Sequence, residues 1–244
     1  MESGTALVIE NDPTDDIRRL GEWLTAAGLQ LSVVRPHAGE PLPSSLEGFA
    51  ALVVMGGEQS AYDAEVEWFP RLESLLRKAV RYRVPTLGVC LGGQLLAQAL
   101  GGQVSASEHG LEIGAKLVAK RDIAAQDPLF GPIPFAPDVI QYHSDEITIL
   151  PAGAVLLAAS THYPHQAFRV GDRAWGLQFH IETDTEMFAS WVDGLDEADE
   201  LVEAVQERQE DVREVWQPFA SRFADLALGR TLEGTRPSLP LIAR

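Results

Sequence analysis

One cysteine among 244 residues excludes an internal disulfide framework and any zinc or iron–sulfur centre built on several thiolates. Positive charge is scarce as well. Nineteen Lys and Arg stand against 36 Asp and Glu, a formal net charge of -17, and no basic patch interrupts it. That balance repels nucleic-acid backbones and anionic lipid alike, so neither partner is expected. No apolar run reaches the ~18 uninterrupted residues that a membrane helix needs, and no basic, apolar, small-residue leader of the secretory type opens the sequence. A cytoplasmic protein is the expectation. Internal repeats and low-complexity segments are also missing. The remainder is of ordinary globular composition, 45% hydrophobic and 23% charged, which suffices for one sizeable core.

Apolar runs and helical periodicities alternate through the first hundred residues. ALVIEND reads as a strand ending in a turn, and Ile17, Leu20, Leu24 and Ala27 then recur at helical spacing, predicting a helix over 15–27. Strands are predicted over 31–36 and 51–57, the latter almost wholly apolar, as in a strand covered on both faces. A helix over 68–82 carries Leu72, Leu75, Leu76 and Ala79 on one side, and Pro85 separates it from the next apolar run. The alternation predicts an α/β fold: a doubly wound, mostly parallel sheet flanked by helices. Beyond Gly101-Gly102, short β-rich runs (QVSAS, EIGAKLVAK, DEITILP, AVLLAAS, QAFRV, AWGLQFH) predict that the sheet continues with an antiparallel portion. The chain turns helical again from Thr183. Residues 196–215 are strongly acidic, with Leu201, Val202, Val205, Val212 and Val215 apolar, which fits a solvated helix face or a docking surface for a basic partner. One domain over 1–192 and a helical acidic extension over 193–244, ending in a loosely held tail GTRPSLPLIAR, is the expected organisation.

The lone thiol has a specific setting. Cys90 lies between a predicted strand (86–89) and a predicted helix (91–100), within Gly88-Val89-Cys90-Leu91-Gly92, the G-x-nucleophile-x-G pattern of a nucleophile elbow. The backbone of such a turn is strained, and side chains two residues either side would collide with strand and helix. The helix start beside the sulfur favours thiolate over thiol. A buried inert cysteine would show no such flanking.

A thiol nucleophile is served by an imidazole that takes and returns its proton, and by a third group that fixes the imidazole tautomer. AWGLQFHIE supplies both. His180 ends an apolar run, and Glu182 lies two residues on, so strand alternation would place the two on one face. His162 and His165 in THYPHQ lack a third ligand at metal spacing, so no metal is expected. His143 in QYHSDE is read as lining or supporting the cleft. An oxyanion needs preorganised N–H donors; Leu91 offers one, and the Met55-Gly56-Gly57 turn is placed for the second.

Taken in order, the MGG turn, GVCLGGQ and QFHIE resemble the class I (triad) glutamine amidotransferases, which include the glutaminase domain of GMP synthase. The likeness is closer to the stand-alone, GMP-synthase-like branch, to which γ-glutamyl peptidases also belong. It runs from about Leu7 to Trp191 and includes Glu112-Ile113-Gly114, His143 with Asp145, and Pro164 to Phe168. What the resemblance implies is a flavodoxin-like amidotransferase fold with a C-terminal helical extension, and a glutaminase-type reaction. Cys90 would attack a γ-glutamyl amide, His180 would give a proton to the leaving ammonia, Glu182 would orient His180, and water would hydrolyse the thioester. Gly57 and Leu91 would form the oxyanion hole, Gln94 and Gly56 would contact the substrate, and no metal or organic cofactor would be required. Glu58, Tyr62 and Glu112 are further pocket-lining candidates. The family usually has proline between the histidine and the glutamate; Ile181 stands there in this chain.

Three readings remain open. A glutaminase would hand ammonia to a separate synthetase, docked through the acidic helices or tail. A γ-glutamyl peptidase or hydrolase would need only water as acceptor. A binding or regulatory protein could keep the fold without the chemistry, although the Cys, His and Glu are all present. The γ-glutamyl small molecule itself, and self-association, are not fixed by the sequence.

Overall fold

The computed structural model describes residues 4–232; the expected loose tail lies outside them. Strand alternation builds the core. In β1 (Gly4–Ile9), Ala6 and Val8 face one apolar layer while Leu7 and Ile9 face the other. In β3 (Phe49–Val54), Ala51 and Val53 oppose Leu52 and Val54 in the same way. Both faces are buried, which is why these strands read as unbroken apolar runs. Helix α1 (Arg18–Ala26) covers one face. On the other lie α2 (Phe69–Arg81) and α3 (Leu91–Ala99).

With β2 (Leu29–Val34), β4 (Thr86–Val89), β7 (Ala119–Lys120), β10 (Val155–Ala159), β11 (Ala167–Val170) and β12 (Ala174–Leu177), these strands form an eight-stranded sheet of order β2-β1-β3-β4-β12-β11-β10-β7. Pairing is parallel from β2 to β12 and antiparallel from β12 to β7. The doubly wound, mostly parallel sheet and its antiparallel portion are therefore present. The intervening β-rich runs do not all join that sheet. β5 (Gln103–Ala106) pairs with β9 (Asp145–Ile149), and β6 (Glu112–Leu117) pairs with β8 (Asp138–His143), as two separate ribbons.

Two local readings are corrected. The first helix begins at Arg18 rather than at residue 15, because side chains take over the backbone donors of the preceding turn. Asp12 Oδ1 accepts from the Thr14 N–H (2.8 Å) and hydroxyl (2.7 Å), and Asp16 Oδ1 accepts from the Arg18 N–H (2.9 Å). The strand read through AWGLQFH ends at Leu177, and His180 joins only a single bridge to Ile140 of β8.

The acidic segment belongs to α5 (Ala198–Ala227), a 30-residue helix. Val205, Val212, Trp216, Phe219, Ala220, Phe223 and Ala224 form its buried face, packed in the same layer as α1, while α4 (Thr185–Val192) joins it to the sheet. No helix among the described residues is long and apolar enough to cross a membrane.

Candidate active site

Loops at the carboxyl ends of β1, β3, β4 and β12 converge on one cleft of about 300 Å³, lined in part by Asp15, Gly57, Glu58, Cys90, Leu91, Gln94, Tyr142, Asp145, His180 and Trp191. This is where parallel α/β sheets hold their ligands. Its floor is the turn from β4 into α3, where Cys90 has φ 48° and ψ -112°. A non-glycine residue there is strained. The flanking glycines have no room for a methyl group: a Cβ on Gly88 would lie 2.4 Å from the Gly92 carbonyl oxygen, and one on Gly92 2.0 Å from that of Val54. The bend is thus held by close backbone contact, and Cys90 Sγ emerges over the sheet at the start of α3.

His180 Nδ1 donates to Glu182 Oε1 at 2.6 Å, and both side chains are buried. Alternation along a regular strand does not create this pairing, since β12 has already ended. It comes from a bent segment that the Ile140 bridge and Arg19 hold in place. The His180 N–H donates to Ile140 O at 2.8 Å, while Arg19 Nε and Nη2 donate to the carbonyls of Ile181 (3.1 Å) and Thr183 (2.6 Å). Arg19 Nη1 also meets Gln209 Oε1 of α5 at 2.5 Å. Burial alone would push the His180 imidazole down, but Glu182, the Cys90 sulfur and Asp15 together hold it well above its usual value. Burial would push Glu182 up; the imidazolium, with the hydrogen bonds of His180 and the Ile181 N–H, brings it below its usual value. Trp191 packs 4.7 Å from the imidazole, ring centre to ring centre, and is fixed by its indole N–H on Thr14 O at 2.9 Å.

The Cys90 sulfur is set between Gln178 Nε2 at 3.9 Å and Tyr142 O at 4.0 Å. Gln94 Nε2 donates to Gln178 Oε1 and to Asp145 O, both at 3.2 Å, so the Gln94 amide braces the wall that it lines. Among the described residues, no backbone carbonyl accepts from the Gly57 or Leu91 N–H, and both residues line the cleft. The turn carrying Gly57 is pinned from behind, where Asn11 Nδ2 donates to Met55 O (2.8 Å) and Trp68 Nε1 donates to Asn11 Oδ1 (3.1 Å).

Some expected positions differ. Gly56 does not line the cleft; it is buried, and a Cβ there would lie 1.9 Å from Asp15 Oδ2. Glu112 turns away from the cleft to His143 Nε2 (3.0 Å) and Gln166 Nε2 (2.6 Å), and so supports His143, which does line it. Tyr62 reaches the site only through its hydroxyl on Asp145 Oδ1 (3.2 Å), whereas Glu58 is at the wall as expected. His165 Nδ1 donates to Ile147 O at 2.6 Å, and His162 packs at a tilt against His109, ring centres 5.3 Å apart. The one group with cation-ligand spacing among the described residues is Asp15, His180 and Glu182, within 4.8 Å of one another. As arranged, His180 Nδ1 and Glu182 Oε1 are spent on their own hydrogen bond.

Residues 17–190 match the family model "Glutamine amidotransferase class-I". The chain belongs to the class-I glutamine amidotransferase family. Among its relatives, γ-glutamyl peptidase 5 of Arabidopsis thaliana is 30% identical over 207 residues, 80% of this chain and 82% of that protein. The glutamine-hydrolysing GMP synthase of Porphyromonas gingivalis is 32% identical over 142 residues, 58% of this chain and 26% of the synthase. In structure, a glutamine amidotransferase of Thermotoga maritima superposes with a TM-score of 0.82 at 25% identity, covering 92% of this chain and all of that one. Among the residues at the site, Asp15, Arg19, Tyr142, Gln178 and Trp191 were missed by sequence reasoning. Gln178 alone carried a usable signal, two residues before His180 in the same run.

Proposed function

We propose that the chain hydrolyses a γ-glutamyl amide through a thioester on Cys90. The observation that carries this reading is the 2.6 Å His180–Glu182 hydrogen bond in the cleft where the strained Cys90 elbow opens. Cys90 gives its Sγ proton to His180 Nε2 and attacks the amide carbon, and the oxyanion is met by the Gly57 and Leu91 N–H groups. His180, its Nδ1–H held by Glu182, gives its Nε2 proton to the departing amine as the C–N bond breaks. Water then gives a proton to His180 Nε2 and attacks the thioester; the C–S bond breaks, His180 returns that proton to the Cys90 sulfur, and the free γ-carboxylic acid leaves and ionises. Gln94 holds the glutamyl side of the cleft. Every group in this sequence is a side chain or backbone amide, and each proton taken is returned.

Glutamine is the simplest such amide, its ammonia passing to a separate synthetase. The second reading, a self-sufficient γ-glutamyl peptidase or hydrolase, is favoured by coverage. The likeness to γ-glutamyl peptidase 5 spans 82% of that protein, whereas the likeness to the P. gingivalis GMP synthase spans 26%. Release of glutamate and of ammonia or amine from glutamine, γ-glutamyl peptides and γ-glutamyl amines, by the chain and its Cys90→Ala variant, tests both. Turnover that needs Cys90 with peptides or amines establishes the self-sufficient hydrolase. Rapid Cys90 capture by a glutamine-analogue electrophile without turnover indicates the partner-dependent glutaminase. If neither turnover nor capture occurs, the reading fails and a non-catalytic role takes its place.

A further inference from the structure

Asp15 stands beside the His180–Glu182 pair with no part in the steps above. It is 4% exposed, its Oδ1 has no hydrogen-bond partner, and it lies in direct contact with Glu182. The two carboxyls are provisioned unequally. Glu182 accepts from His180 Nδ1 at 2.6 Å and from the Ile181 N–H at 2.9 Å, and the Arg19 guanidinium faces it. Around Asp15 stand His180, Glu182 and Asp12, His180 also interacts with Cys90, and Asp15 Oδ1 meets no donor. Two buried carboxyls in contact cannot both ionise, and the shared proton resides on the one with fewer donors.

The geometry points to Asp15 as a positioning residue, a carboxylic acid whose O–H donates to Glu182 and gives that carboxylate a third donor. The inference rests on reading Cys90, His180 and Glu182 as the reacting set. Consistent with it, burial first and Glu182 next hold the Asp15 carboxyl well above its ordinary value, against the opposing pull of His180. Gly56 belongs to the same arrangement, since a side chain there would occupy the place of Asp15 Oδ2. The consequence is mechanical: Glu182 is fixed in one orientation and keeps its charge, so the imidazole keeps its proton on Nδ1 and presents Nε2 to the sulfur.

Two measurements test this without any γ-glutamyl substrate. The first is the rate of Cys90 alkylation by iodoacetamide at pH 7; the second is the infrared C=O band of a protonated carboxylic acid. Asp15→Leu, which removes the donor, should slow alkylation by about tenfold, and Asp15→Asn, which restores a neutral donor, should recover most of it. The carboxylic-acid band should be present in the parent protein and absent from Asp15→Asn. Equal slowing in both variants would show that a negative charge is needed, and no slowing in either would show that the contact is inert; each outcome overturns the inference. If Asp15→Leu does not fold, the infrared comparison of parent and Asp15→Asn decides alone, and an unchanged spectrum overturns it. Parent Cys90 reacting no faster than free cysteine would instead defeat the reading of the reacting set, leaving the infrared band to report on Asp15.

Discussion

Gly92 illustrates how tightly the elbow is determined by single residues. Its absent side chain is replaced by the Val54 carbonyl, so Gly92→Ala would force β3 away from α3. The expected cost is about 3 kcal/mol or more, read as a lower urea midpoint. The buried acids make a second prediction whose sign follows from their directions. His180 is raised, so its contribution to stability is present below the unfolded value of about 6.5 and fades as pH rises through the folded one. Glu182 is lowered, so its contribution is present above about 4.3 and is lost as pH falls through the folded value. Asp15 is raised, so its contribution is full below about 3.9 and is lost as pH rises from there through the folded value, because the folded state holds a proton that the unfolded chain releases. Urea midpoints should therefore shift in favour of Asp15→Asn over the parent protein as pH rises from about 4. A difference that stays constant across pH would contradict the assignment.

The segment from His180 to Thr183 has no regular hydrogen-bonding partner strand, and Arg19 of α1 and Gln209 of α5 take that part. Where the family usually has proline, this chain has Ile181 with its carbonyl on Arg19. Arg19→Met should cost about 2–4 kcal/mol from the two lost carbonyl bonds, and should slow iodoacetamide capture of Cys90. Loss of stability with no change in capture would mean that the clamp is structural only. Periodicity made β1, β3, α2, β4 and α3 legible, because each buries a continuous layer and the residues alternate accordingly. It could not show β8, since DVIQYH carries only Val139 and Ile140 as aliphatic residues and is defined by pairing with β6 and by the bridge to His180. Asp15 was hidden for a related reason. Periodicity makes it the polar first residue of a helix, and the side-chain hydrogen bonds of Asp12 and Asp16 instead form a turn that buries it.

Across the whole molecule the net charge of -17 extends into the cleft, whose lining includes Glu58 and Asp145 and, among the described residues, no Lys or Arg. An anionic reagent should be disfavoured there. Relative to free cysteine, iodoacetate should modify Cys90 about tenfold more slowly than iodoacetamide at low ionic strength, with the gap closing as salt is added. Equal relative rates would mean that the field is screened before it reaches the sulfur. The solitary thiol carries one more consequence. Peroxide acting on Cys90 would give a sulfenic acid, and the chain has no second cysteine to resolve it as an internal disulfide. Recovery must come from a thiol supplied by the surroundings, which makes the redox state of the solution, rather than anything within the fold, the condition on which the site stays open.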